Sequence, residues 1–181
     1  MRKHVWVLAI AALVGSVGAH AQDEFAAGKP SVQVLHVEAE PIQKGKAAAV
    51  TLSFRVAPGF HINSNHPNSD LLIPTVLRLE PPTDLSVGNI KYPDGQQLSF
   101  AFAPDEKLSV YSGDFTVQAT ARTIGAIRPG SYRVRGELRY QACDNSACYP
   151  PKTMQVGFDV KVAKALPPVH HNPAQSPDVH N

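Results

Sequence analysis

The chain has 181 residues, with 17 Lys and Arg against 15 Asp and Glu and a formal net charge of +2. Arg2 and Lys3 belong to a leader described next; without them 15 basic residues face 15 acidic ones, which leaves no electrostatic footprint for nucleic acid or for an anionic membrane surface. No segment shows a convincing helical period, so helix-built folds are set aside from the start.

The N-terminus has the three parts of a secretory signal: Arg2 and Lys3 as a positive start, an apolar stretch from Val5 to Val17, and Ala19-His20-Ala21 as an A-x-A cleavage site before Gln22. Gly15, Ser16 and Gly18 interrupt the stretch, and it is shorter than the ~20 apolar residues that span a bilayer. Cleavage after Ala21 is expected, giving an exported chain without stable membrane insertion, in a compartment where disulfides persist. Residues 22–30 read as a linker, 31–162 as one domain long enough for its own core, and 163–181, "AKALPPVHHNPAQSPDVHN" with four prolines, as a disordered tail.

Within the domain the hydrophobic period is two. "SVQVLHVEA" alternates with a shift of parity between Val34 and Leu35, which predicts a bulge. In "AVTLSFRV", Val50, Leu52, Phe54 and Val56 alternate with polar residues; "IPTVLRLE" and "LSVGNIKY" are shorter candidates. "FTVQATART" alternates through Phe115, Val117, Ala119 and Ala121. "SYRVRGELRYQAC" sets Tyr132, Val134, Leu138 and Tyr140 opposite Arg133, Arg135, Glu137 and Arg139, a wet face, and "MQVGFDVKV" closes the set. "YPDG" and "RPGS" supply turn chemistry. Seven or more short strands in one domain predict an all-β fold, an immunoglobulin-like β-sandwich.

Both cysteines lie in "YQACDNSACYPP", at Cys143 and Cys148. Three readings are open: a structural staple, two ligands of a metal site, or an exchanging pair. A bond between them would close a loop of six residues and so contribute roughly 2 kcal/mol, against nearly 5 for a loop of a hundred. A staple placed there is a poor one. Extending the strand's alternation puts Cys143 on the side of Arg139, facing water, while parity counted back from Met154 puts Cys148 toward the core. The two sulfurs can then meet only at an irregular hairpin end. Pro150 and Pro151 offer no N–H and assign this segment to an edge.

"GFHINSNHP" (59–67), "KLSVYSGDFTV" (107–117) and above all "YQACDNSACYPPKT" (140–153) resemble the N-terminal periplasmic domain of the thiol:disulfide interchange protein DsbD. The likeness covers most of residues 31–162. It implies an immunoglobulin-like module in the periplasm whose Cys143–Cys148 pair exchanges electrons with thioredoxin-fold proteins, Cys148 forming the mixed disulfide and Cys143 resolving it. It implies no cofactor, a monomer, and thiol–disulfide oxidoreductase activity of the carrier type. The family's protein continues into a membrane region and a thioredoxin domain, whereas this chain ends in its tail. Its electron donor is therefore expected to be a separately encoded, membrane-linked reductase. The family also covers its cysteines with a loop of acidic and aromatic residues. Here the candidate is "LSFAFAPDEKL" (98–108), with Phe100 or Phe102 as the shield and Asp105 and Glu106 as acids in a different order from the family's.

His61, Tyr140 and Tyr149 complete the candidate site as docking or support residues, with Tyr140 read as a core position and Tyr149 as part of a docking surface. The competing readings are a non-catalytic immunoglobulin-like binding module with an inert hairpin disulfide, and a periplasmic metal carrier. The metal reading would draw on His61 and His66 with the two cysteines, or on His170, His171 and His180 of the tail. For His61 and His66 alone, a polar turn after a strand is the plainer expectation.

Overall fold

A computed structural model describes residues 29–164; the leader and all but the first residues of the tail lie outside that range. Eleven strands and no helix make up the described residues. They are β1 (Val32–Ala39), β2 (Ala48–Val56), β3 (His61–Asn63), β4 (Val76–Glu80), β5 (Leu85–Lys91), β6 (Gln96–Phe100), β7 (Ala103–Tyr111), β8 (Asp114–Thr123), β9 (Gly130–Tyr140), β10 (Ala142–Cys143) and β11 (Lys152–Val162).

The strongly alternating segments form the two layers of an immunoglobulin-like sandwich. One antiparallel sheet has the order β1-β2-β8-β5 and the other β11-β9-β4. Val50, Leu52, Phe54 and Val56 of β2 and Val117 and Ala121 of β8 are buried from one side, and Val134, Leu138 and Val160 of the other sheet join them in one apolar cluster. Side chains on a pleated strand point alternately to opposite faces, so this alternation is the direct cause of the two-layer packing. Phe54 and Phe115 are register partners across β2 and β8, and their rings stack at 5.2 Å between centroids. Tyr111 stacks on Phe115 at 4.9 Å and extends the aromatic line toward the third sheet. On the wet faces Arg133, Arg135 and Arg139 are exposed, and Arg133 meets Asp159 across β9 and β11. The parity shift in β1 is a real irregularity: its register against β2 slips between Val34 and His36.

A third sheet, β10-β3-β7-β6, departs from the expectation of a simple alternating sandwich. Its strands do not show the period of two, because their burial is continuous rather than alternating. His61, Ile62 and Asn63 are all buried, as are Leu108 to Tyr111 at the end of β7. The expectation of a polar turn at His61 is thus corrected: His61 lies in β3, which is held between β10 and β7. His66 does lie in the exposed loop that follows. This sheet carries both cysteines' surroundings.

Candidate functional site

The regular ladder of β9 with β11 ends where Tyr140 pairs with Lys152. Gln141 leaves the strand, and β10 then crosses to β3, setting Ala142 against Ile62 and Cys143 against His61. This change of sheet resets the parity. Cys143 is fully buried instead of facing water, and Cys148 is exposed instead of facing the core, so both orientations read from alternation are reversed. The hairpin end is irregular, and the two residues form an isolated antiparallel bridge joined by a disulfide. Pro150 and Pro151 follow as an unpaired, exposed stretch before β11 begins at Lys152.

The tight turn between the cysteines is organised by Asp144. Its Oδ1 accepts hydrogen bonds from the Ser146 N–H (2.7 Å), the Ser146 hydroxyl (2.8 Å) and the Ala147 N–H (2.9 Å). Its Oδ2 accepts one from the Tyr149 hydroxyl at 2.6 Å. The Asp144 N–H donates to the Ala147 carbonyl and the Tyr149 N–H to the Ala142 carbonyl, each at 2.9 Å. An aspartate that bonds backbone two and three residues ahead is the standard chemistry of such a turn. Hydrogen bonds from Tyr149 first, then from Ser146 and Ala147, hold the Asp144 carboxyl well below the usual range. The same bond pushes the Tyr149 phenol up. A fixed negative charge therefore sits one residue from Cys143.

Gln141 ties the surroundings together. Its Oε1 accepts from the Asn63 side chain at 3.2 Å and from the Ile73 N–H at 3.4 Å, while its Nε2 donates to the Tyr149 carbonyl at 3.1 Å. Tyr149 also meets Phe60 edge to face, with centroids 5.8 Å apart. Neither Asp144 nor Gln141 stands out in the sequence reading. The D-N-S run carried the turn signal for the former, whereas Gln141 reads as one more polar strand position.

On the other side of Cys143 lies a stack of rings. His61 is 4% exposed, and its ring lies parallel to that of Phe100 at 3.8 Å between centroids. Phe100 in turn stacks on Phe102 at 5.6 Å, and Phe102 is exposed. In register, Phe100 belongs at the far end of the β6–β7 hairpin, paired with Ala103, whereas β3 pairs with β7 near Tyr111. The tip of the hairpin must therefore curl back across β3 to bring Phe100 onto His61. Burial lowers the His61 pKa from its ordinary 6.5 to about 4, against the opposing pull of the Asp144 charge. Its Nε2 is buried with no hydrogen-bond partner.

The remaining candidates are placed as follows. Tyr140 is buried, and its hydroxyl oxygen accepts from the Val32 N–H at 3.3 Å. Asp105 and Glu106 are exposed on β7. No group of three or more His, Cys, Asp or Glu side chains that could hold a metal ion occurs among the described residues. The tail histidines His170, His171 and His180 lie outside those residues.

Residues 31–159 match the model of the family described as thiol:disulfide interchange protein DsbD, N-terminal. The chain belongs to this DsbD N-terminal family. Among solved structures it is similar to the N-terminal domain of DsbD from Neisseria meningitidis in the reduced form, with 23% identity over 62% of this chain and 76% of that one and a TM-score of 0.38. It is also similar to the GAE domain of GGA2p from Saccharomyces cerevisiae, with 12% identity over 71% and 97% of the two chains and a TM-score of 0.39. Among curated proteins the comparison found no match. Membership of the DsbD N-terminal family thus rests on the match over most of the β-sandwich, and at family level its chemistry is thiol–disulfide interchange. The described residues contain no helix long and apolar enough to cross a membrane.

Proposed function

We propose that this protein is an exported, periplasmic carrier that relays electrons between thioredoxin-fold proteins through Cys143 and Cys148. The observation that carries this reading is the asymmetry of the disulfide. Cys148 is exposed at the hairpin end, whereas Cys143 is buried beside His61. An incoming thiolate has one sulfur to attack, and that sulfur is Cys148.

The cycle balances without a cofactor. A partner's thiolate attacks the Cys148 sulfur, the Cys143–Cys148 bond breaks, and Cys143 takes the electron pair as a thiolate that becomes protonated. The partner's second thiol then attacks the partner sulfur of the mixed disulfide, which releases Cys148 and leaves the partner oxidised. In the next encounter the Cys148 thiolate attacks the disulfide of an acceptor, and Cys143 resolves the adduct by attacking Cys148, which re-forms the internal bond. Stacked over His61, Phe100 and Phe102 form a movable shield on the Cys143 side of the pair, and keep small thiols from that sulfur between encounters. Tyr149, beside Cys148, belongs to the docking surface; Asp105 and Glu106, exposed on the shield's hairpin, are placed to meet a partner that moves it. A membrane-linked reductase is the proposed donor.

The test is a trap. Cys143→Ser, exposed to oxidised thioredoxin-fold proteins from a periplasmic extract, is expected to accumulate a mixed disulfide through Cys148, while Cys148→Ser accumulates none. Equal trapping by both variants, or trapping by neither, contradicts the assignment.

A further inference from the structure

We propose that His61 is a catalytic residue of the exchange, its Nε2 accepting a hydrogen bond from the Cys143 thiol while the disulfide is open and taking its proton only as Sγ attacks. The inference rests on the exchange reading above, since Cys143 must pass through a free-thiol state for Nε2 to serve.

Cys143 and His61 are direct register partners in the antiparallel pairing of β10 with β3. Residues so opposed project to the same face with Cβ atoms about 4.5–5.5 Å apart, within reach of one sulfur and one imidazole. Both are buried, at 0% and 4% exposure. In the disulfide state described here Cys143 Sγ has no proton to give, and His61 Nε2 has no partner. A buried polar atom without a partner is uncommon and costly, and calls for an explanation. Opening the bond supplies one: it creates a single new buried donor, the Cys143 S–H, on the neighbouring strand.

The surroundings keep the ring ready for that role. Phe100 lies parallel on one face of the imidazole and excludes water from it. Burial keeps the ring neutral above about pH 4, so that with its proton on Nδ1 it presents Nε2 as a lone-pair acceptor. Asp144 is the charged group that acts on it, and its effect is to favour proton uptake by the ring.

In the resolving step the Cys143 proton passes to Nε2 as Sγ attacks Cys148. The Cys143–Cys148 bond forms, the bond from Cys148 to the partner breaks, and the partner's sulfur leaves as a thiolate. The imidazolium then gives its proton to that thiolate or to water, which restores the neutral ring. His61 thereby lets a thiol in a dry site act as a nucleophile without exposing it.

The experiment is nitrogen NMR of the imidazole in the full chain, oxidised and then opened completely with a phosphine reductant, beside Cys143→Ala. Chemical reduction opens the bond whether or not any partner exchanges with it, so the result is independent of the trap described above. The expected result is an upfield movement of the His61 Nε2 resonance on reduction of the wild type, absent in Cys143→Ala. With His61→Phe, which keeps a ring against Phe100, the glutathione equilibrium should shift roughly two- to tenfold toward the disulfide through loss of that hydrogen bond. A Nε2 resonance that does not move on full reduction, or moves equally in Cys143→Ala, overturns the proposal.

Discussion

At the level of single residues the site is built from two groups whose ionisation is moved in opposite senses by their neighbours. Asp144 is kept charged by four hydrogen bonds gathered on one half-buried carboxylate, whereas His61 is kept neutral by burial. The second has a measurable consequence for stability. The folded protein holds His61 at a pKa of about 4 and the unfolded chain at 6.5, so between those values the unfolded state binds the proton first. Stability is therefore full above pH 6.5, falls as the pH drops toward 4, and loses nothing further from this group below that. The loss should be on the order of 1–2 kcal/mol once solvent relaxation is allowed for. Denaturant midpoints measured across this range should decline more steeply for the wild type than for His61→Phe. Parallel curves would show that His61 is not the group responsible.

At the level of elements, the sandwich could be read in advance and the third sheet that carries the site could not. β2, β8, β9 and β11 each bury every second residue against a single partner layer, so hydrophobic period alone finds them, and the slip in β1 shows as a change of parity. β3 and β10 are three and two residues long, too short for any period to register, and exist because each finds a partner across the sheet. The first half of β7, including Pro104, Asp105, Glu106 and Lys107, is exposed, and its second half is wholly buried, so neither part alternates. Cys143 was misplaced for the same reason: alternation cannot anticipate that the chain changes sheets at Gln141. The motif around the cysteines identified the pair, while the ring stack and the Asp144 turn required coordinates. One close approach inside β9 gives a test of the layer packing. A Cβ at Gly136 would lie 2.3 Å from the Arg78 carbonyl oxygen and 2.8 Å from Leu79 Cδ2 on β4. Gly136→Ala should therefore destabilise the fold by about 1–3 kcal/mol, since backbone must give way. A thermal or denaturant midpoint equal to the wild type's would mean that β4 is free to move off β9.

For the whole molecule, the point that matters is how little the disulfide contributes to holding it together. One apolar cluster joins β1, β2, β8, β9 and β11 and reaches Ile62, Tyr111 and Ala142 of the third sheet without needing the sulfurs. The bond links residues five apart, and its entropic contribution is roughly 2 kcal/mol, well below that of a bond closing a long loop. A fold of this kind can open and close the pair repeatedly while its core stays intact, which a carrier requires and a staple does not.

The most direct measurement is the equilibrium reduction potential of Cys143–Cys148 in the protein, titrated against glutathione and dithiothreitol buffers. A carrier between thioredoxin-fold proteins predicts a value of about −180 to −270 mV, within the range of working exchange proteins. A value below about −300 mV would mark a bond that resists its partners, and would contradict the central claim.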